Sequence, residues 1–158
     1  MFAVDRAGIV GSDGETHQGI FDLSYLSSIP NMHVMAPKNK WELSDMLKFA
    51  IRQKSPVAIR YPRGEAYTGL EDYRAPIEMG KAEILEKGKE IAILAVGNMV
   101  RTAVQVTENL RKKGYEPTLV NMRFVKPLDM DLLEILREDH SLIVTMEENV
   151  KSGGFGEQ

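Results

Sequence analysis

Residues 90–96, "EIAILAV", decide the fold class of this 158-residue chain. They are apolar almost without interruption, which is typical of a strand covered on both faces of a parallel sheet. Apolar side chains then recur at helical spacing from Met99 to Leu110, and Gly114 stands where a helix over 99–113 would end. A strand followed by a helix at this distance predicts a strand–helix–strand unit with a right-handed crossover.

The alternation continues towards the end of the chain. Apolar runs predict strands at 118–122 and at 142–146, "LIVTM", and Asp129 is placed to begin the helix between them. Residues 79–158 are therefore expected to form one parallel-sheet α/β unit.

A second unit is predicted before it, in residues 1–63. The expected strands lie at residues 1–4, 32–36 and 57–61, the first of them as a buried strand, and a helix is expected at 20–29. Asn39 stands three residues before Glu42, a capping-box spacing that predicts the start of another helix.

Residues 64–78 show neither the helical nor the strand period of apolar residues and are expected to link the two units. The predicted fold class is therefore α/β, with two parallel-sheet units. Because the first unit is small and the pattern is interrupted at both ends, we expect a piece of a larger protein or a subunit that a partner completes.

Composition excludes several classes of protein. The chain has no cysteine, which excludes disulfides and thiolate zinc sites. Its net charge is −3 without a basic stripe, so no nucleic-acid partner is expected. The longest apolar run, Ile91–Val96, is far shorter than the ~20 residues of a membrane span, and no signal peptide precedes Asp5. We therefore predict a cytoplasmic protein that does not enter membranes.

The chemistry is expected in residues 5–19, "DRAGIVGSDGETHQG", which follow the first strand. Ligands of parallel sheets bind at the carboxyl ends of the strands, and there Arg6 and Arg63 of "RYPRG" would face one crevice if their strands are neighbours. The planar fork of arginine suits a phosphate. Histidine is the residue type that most often moves a proton near neutral pH, and Asp13 beside His17 would orient the ring.

The same residues also allow plainer roles. Arg6 would pair with a carboxylate at a strand end, Arg63 would cap a carbonyl of the linker, and His17 would be a solvated loop residue. His33 and His140 are expected to be structural. No metal ligands are assigned.

Four motifs, "DRAGIVGSDGETHQGIFDLSYL", "IRYPRG", "VNMRFVKPLD" and "EENVKSGGFG", resemble the 1-deoxy-D-xylulose-5-phosphate synthase family of transketolase-like thiamin diphosphate enzymes. The resemblance covers essentially the whole chain. It implies that residues 1–63 belong to a pyrimidine-binding domain and residues 79–158 to a transketolase C-terminal domain.

The family condenses pyruvate with glyceraldehyde 3-phosphate and releases carbon dioxide, a step towards isoprenoid and thiamine synthesis. By resemblance, Arg6 and Arg63 hold the phosphate of glyceraldehyde 3-phosphate. Asp13 and His17 contact substrate oxygens near the reactive carbon of the cofactor and are the expected catalytic residues.

The family's cofactor-activating glutamate and its Gly-Asp-Gly motif for Mg²⁺ and diphosphate are absent from these residues. The resemblance therefore implies that thiamin diphosphate and Mg²⁺ bind mainly elsewhere, in a homodimeric intact protein, and that this polypeptide alone is inactive. Two alternatives stay open: a transketolase or 2-oxo-acid dehydrogenase E1 β-type chain, and a non-catalytic assembly domain.

Overall fold

The computed structural model describes residues 1–158 and contains eight strands. The strands are β1 (Phe2–Val4), β2 (His33–Met35), β3 (Val57–Arg60), β4 (Glu83–Glu86), β5 (Glu90–Ala95), β6 (Thr118–Asn121), β7 (Phe124–Lys126) and β8 (His140–Met146). The helices are α1 (Asp22–Ser28), α2 (Lys40–Ala50), α3 (Met99–Lys112) and α4 (Met130–Asp139), with a 3₁₀ turn at Glu15–His17. The predicted α/β class is confirmed.

The first sheet has the strand order β1-β3-β2-β7. β3 pairs in parallel with β1 on one side and with β2 on the other. β7 pairs with β2 in the antiparallel direction, although it comes from the C-terminal part of the chain. β7 is therefore the one antiparallel strand of a mostly parallel sheet, and it ties the second unit to the first.

The second sheet has the order β4-β6-β5-β8. β5 pairs in parallel with β6 and β8, and its residues from Ala92 to Ala95 are at most 2% exposed, as predicted for a strand covered on both faces. β4 was not predicted, and it pairs with β6 in the antiparallel direction. This sheet is therefore mixed as well.

Two strands are more exposed than a central strand of a parallel sheet. β1 was predicted to be buried, but Phe2 is 54% exposed because β1 is an edge strand that pairs only with β3. β8 also lies at an edge, and its residues 141–145 are exposed. None of the helices is long and apolar enough to cross a membrane.

The helix boundaries follow the predicted caps. The Asn39 side chain accepts a hydrogen bond from the Glu42 backbone N–H at 2.9 Å, and α2 begins at Lys40, directly after Asn39. Asp129 caps α4 through the Leu132 N–H at 3.4 Å. α3 ends two residues before Gly114, whose φ of +89° is a conformation that glycine adopts without strain.

A buried group of four charged side chains and one amide joins the two units. We call it the charged cluster, and it consists of Lys38, Glu42, Glu83, Asn121 and Arg123. Lys38 Nζ lies 3.1 Å from Glu42 and 2.6 Å from Glu83. Arg123 contacts the same two carboxylates at 2.7 and 3.0 Å. Asn121 donates to both as well. Two cations therefore neutralise two carboxylates.

The pKa of Glu83 reflects this arrangement. Burial raises the pKa of the carboxyl, but the hydrogen bond from Lys38 and the charge of Arg123 outweigh burial. The net pKa lies below its ordinary value, so Glu83 is ionised in the folded protein at neutral pH.

Candidate anion-binding site

The two predicted site segments leave the first sheet side by side. β1 and β3 are parallel neighbours, so residues 5–19 and Arg63 emerge at the same edge. The pairing continues beyond the strands, because Tyr61 N–H donates to Val4 O at 3.0 Å and Ala7 N–H donates to Tyr61 O at 3.1 Å. This ladder brings the start of the loop next to the chain that leads to Arg63.

Arg6 and Arg63 converge on Asp13. Arg6 Nε donates to Asp13 Oδ2 at 2.7 Å, and Arg63 Nη1 contacts Asp13 Oδ1. The Asp13 side chain is 7% exposed, whereas the arginines are 36% and 47% exposed. One covered carboxylate thus binds two guanidinium groups that still face solvent, and Asp5 approaches Arg6 Nη1 at 3.4 Å.

Backbone geometry holds Arg6 in place. Its φ of +58° is rare for a residue with a side chain. Gly19 N–H donates to Arg6 O at 3.0 Å, and a Cβ at Gly19 would collide with that carbonyl oxygen. Glycine at 19 therefore permits the close approach of the two ends of the loop.

Gln18 closes the middle of the loop, a role that the sequence did not reveal. Its side-chain oxygen accepts from Val10 N–H at 2.5 Å, and its Nε2 donates to Val10 O at 3.0 Å. Nε2 also lies within 3.3 Å of Gly14 O. The signal was a side-chain amide among glycines, which offers a donor and an acceptor to a backbone without regular structure.

His17 does not have the partner that was predicted for it. Its Nδ1 lies 3.1 Å from Thr16 Oγ1, and Asp13 is engaged by the arginines instead. The expectation that Asp13 orients this ring is therefore wrong. His17 ends the 3₁₀ turn of the loop, with its backbone N–H bonded to Gly14 O and its side chain exposed.

A cavity of about 310 Å³ opens beside Arg63. The residues that line it include Asp5, Tyr61, Arg63 and Glu65. Cation and carboxylate side chains at one opening suit a ligand that carries both an anionic group and hydroxyl donors.

The predicted structural histidines have neighbouring hydroxyl partners. His33 Nδ1 lies 3.0 Å from Ser55 Oγ, and His140 Nε2 lies 2.7 Å from Thr118 Oγ1.

No three His, Asp or Glu side chains are grouped to hold a metal ion. The carboxylate of Glu147, which follows a strand end, accepts from the N–H groups of Phe155 and Gly156 at 2.9 Å each. Glu148 accepts from Asn98 at 3.1 Å. The carboxylates of Glu147 and Glu148 are therefore engaged in hydrogen bonds within the protein.

Fold and loop together define a two-unit α/β protein that presents paired arginines at the carboxyl ends of parallel strands. A family model described as "Transketolase, pyrimidine binding domain" matches residues 1–68, and one described as "Transketolase, C-terminal domain" matches residues 80–158. The chain belongs to the transketolase family.

Curated relatives narrow the comparison. Over the whole chain it is 58% identical to a 1-deoxy-D-xylulose-5-phosphate synthase of Lachnoclostridium phytofermentans and 51% identical to one of Natranaerobius thermophilus. The chain spans a quarter of the length of each. Among solved structures, the chain is similar to a split-gene transketolase described as an inactive β4 tetramer, with 30% sequence identity and a TM-score of 0.84. The match covers 98% of this chain and 50% of the transketolase chain.

Proposed function

We propose that this chain is the acceptor-binding part of a 1-deoxy-D-xylulose-5-phosphate synthase. Such an enzyme joins pyruvate to glyceraldehyde 3-phosphate, forming 1-deoxy-D-xylulose 5-phosphate and carbon dioxide. The relatives that carry this name match the chain from end to end. The observation that carries the proposal is the convergence of Arg6 and Arg63 on one carboxylate.

Arg6 and Arg63 are assigned to the phosphate of the acceptor. Asp13 shows that both guanidinium groups reach one anionic group. A phosphate offers three oxygens to the same donors, and each charge-assisted hydrogen bond contributes about 1.5–3 kcal/mol. Each guanidinium group has five N–H donors and still faces solvent, so donors remain for a phosphate beside the Asp13 contacts.

Asp13 and His17 are assigned to the rest of the substrate. Asp13 accepts a hydrogen bond from an acceptor hydroxyl group. His17, which is exposed and bonded only within its own loop, donates to the carbonyl oxygen of a substrate and holds the proton that this oxygen takes up.

The cofactor assigned to the enzyme is thiamin diphosphate with Mg²⁺. When bound, thiamin diphosphate supplies the nucleophilic carbon and holds the electron pair left by the departing carbon dioxide. By the resemblance to the family, Mg²⁺ and the diphosphate are assigned mainly to segments of the enzyme outside residues 1–158. The homodimer and the cytoplasmic location stay predictions.

Transketolase is the second candidate, because the split-gene transketolase shares the fold at a TM-score of 0.84. Paired arginines that bind a phosphate would serve either enzyme, so they do not separate the two candidates. The donor substrate distinguishes the two candidate enzymes, since only the first releases carbon dioxide from pyruvate.

The test uses the full-length polypeptide that contains residues 1–158, supplied with thiamin diphosphate and Mg²⁺. The kcat/KM is measured for glyceraldehyde 3-phosphate and for glyceraldehyde, with pyruvate as donor and carbon dioxide as readout. Arg63→Ala is expected to lower kcat/KM for the phosphorylated acceptor by a factor of ten or more, from the loss of about 1.5–3 kcal/mol, and to affect glyceraldehyde less.

Arg74→Ala is the matched control, because Arg74 is 46% exposed and pairs with Asp45, away from the loop. Equal effects of the two substitutions would remove the phosphate assignment. A wild-type enzyme that releases no carbon dioxide from pyruvate but transfers a two-carbon unit from a ketose phosphate would favour transketolase.

A further inference from the structure

The arginine loop is held from outside by a segment of the second unit. This return segment, Glu147–Gly153, follows β8 and lies against the first unit. Val150 N–H donates to Ile20 O at 2.8 Å, at the end of the loop. Asn149 Oδ1 accepts from Leu23 N–H at 3.1 Å, in the first turn of α1.

The second side-chain group of Asn149 strengthens the same contact. Its Nδ2 donates to Ser24 Oγ and to Val150 O, both at 2.8 Å. Ser24 Oγ in turn donates to Ser152 O at 2.7 Å. One amide thus binds the first turn of α1 and the return segment at once, and it fixes the point where the loop ends.

Arg60 connects the return segment to Arg6. Its Nη2 donates to Gly19 O and to Glu148 O, both at 2.6 Å, and its Nε donates to Asp22 at 3.2 Å. Gly19 N–H donates to Arg6 O at 3.0 Å. A continuous series of hydrogen bonds therefore leads from Glu148 through Arg60 and Gly19 to the backbone of Arg6.

The near side of the loop also rests on the return segment. Gly8 has a φ of +74°, and a Cβ there would lie 2.7 Å from Glu148 Cδ. The Glu148 carboxylate is held from its other side by Asn98, at the start of α3. Both arms of the loop are thus in contact with a segment that belongs to the other sheet.

We infer that Arg60 and Asn149 are positioning residues for the acceptor phosphate: they hold the loop against the return segment and so place Arg6 opposite Arg63. This inference rests on the proposed function. The loop has four glycines and a single short 3₁₀ turn, so its own residues specify its conformation weakly. Contacts from the return segment supply the missing constraint.

The test compares Asn149→Ala with Gln158→Ala in the full-length polypeptide that contains residues 1–158. Gln158 also joins the C-terminal residues to α1, by one exposed hydrogen bond to Ser27 at 3.2 Å, but it does not reach the loop. Loss of Asn149 is expected to raise the KM for glyceraldehyde 3-phosphate about threefold to tenfold, the effect of one or two hydrogen bonds. The KM for glyceraldehyde should change less, and Gln158→Ala should change neither.

A merely structural role would lower kcat for both acceptors equally, through a smaller folded fraction, and that result would overturn the inference. An Asn149→Ala enzyme with unchanged kinetics would overturn it too. If Asn149→Ala does not fold, Asn149→Asp and Arg60→Lys are measured in the same way, with smaller selective losses expected, since each keeps part of the bonding.

Arg63→Ala separates this inference from the proposed function. If Arg63→Ala is selective for the phosphorylated acceptor and Asn149→Ala is not, the inference fails alone. If neither is selective, the phosphate assignment fails and takes the inference with it.

Discussion

Replacing Arg123 with methionine tests whether the charged cluster holds the two units together. Arg123 is 2% exposed and donates to Glu42 at 2.7 Å. It also lies 3.0 Å from Glu83 and donates to the carbonyl oxygens of Pro76 and Ala75 at 3.0 and 2.8 Å. Methionine fills much of the same space but supplies no donor and no charge.

The expected loss follows from the charges left behind. Without Arg123, Lys38 is the one cation facing two buried carboxylates, so one negative charge is uncompensated. Breaking a buried pair by removing one partner costs about 3–5 kcal/mol of unfolding free energy. The two backbone carbonyl oxygens also lose their donor, which places the expected value in the upper half of this range.

Arg111→Met is the matched control. Arg111 is 45% exposed and pairs with Glu86, whose side chain is 21% exposed, so this pair is far less buried than the pair of Arg123 and Glu42. Removal of such a pair is expected to cost about 0–1 kcal/mol. Both variants lose one arginine, but Arg123→Met removes two buried ion pairs and Arg111→Met removes one pair that is partly exposed.

Urea unfolding at neutral pH measures the difference, followed by circular dichroism and by the fluorescence of the single tryptophan, Trp41, which lies in α2 beside Glu42. Non-coincident transitions would show the units unfolding separately. An Arg123→Met protein that loses no more stability than Arg111→Met would refute the reasoning that the charged cluster stabilises the fold.

Two further predictions concern stability. The pKa of Glu83 is lowered in the folded state, so its contribution to the unfolding free energy is complete above its unfolded pKa of about 4.3 and is lost as the pH falls through the folded value. The unfolding free energy of the wild type should therefore decrease from about pH 5 downwards. Glu83→Gln, measured by urea titrations at several pH values, should show a flatter decrease. Gly88→Ala should lower the unfolding free energy by about 1–3 kcal/mol, because a Cβ there would collide with the Glu116 carbonyl group. A Cβ at Gly11 would have no atom within 4 Å, so Gly11→Ala should leave the melting temperature nearly unchanged. Equal melting temperatures for the two variants would contradict this prediction.

Periodicity predicted the elements that carry enough residues to show a period. α2 and α4 begin at their predicted caps, α3 ends near Gly114, and residues 92–95 of β5 are buried. β7 was missed because it has three residues and exists through its pairing with β2, about ninety positions away in the sequence. β4 was missed because its two apolar residues stand among charged ones, too few to establish an alternation.

Local sequence patterns also fail to predict which charged residues are buried. Lys38, Glu42, Glu83 and Arg123 have the composition of a solvated surface, and nothing local in the sequence says that they are buried. Glu42 was assigned only to the cap of α2. Its carboxylate in fact accepts from Lys38 N–H at 2.7 Å and from three side chains of the charged cluster. Burial of these charges requires partners from both units, and sequence separation conceals such partners.

The sequence indicated which residues could meet at this sheet edge and not which contacts they make. Arg6 and Arg63 were predicted to face one crevice if their strands were neighbours, and β1 and β3 do pair. Their shared bond to Asp13, and the Thr16 partner of His17, depend on the path of a loop that has four glycines and almost no regular structure.

That path depends on the second unit as well as on the loop. Residues 64–78 contain no helix or strand and were expected to separate two units, yet β7, the charged cluster and the return segment all cross the boundary. Arg60 stands where these connections reach the site, since its guanidinium binds the end of the loop and the return segment together. The edge at which Arg6 and Arg63 meet is therefore shaped by both units, and a substitution in the second can alter binding without touching the ligand.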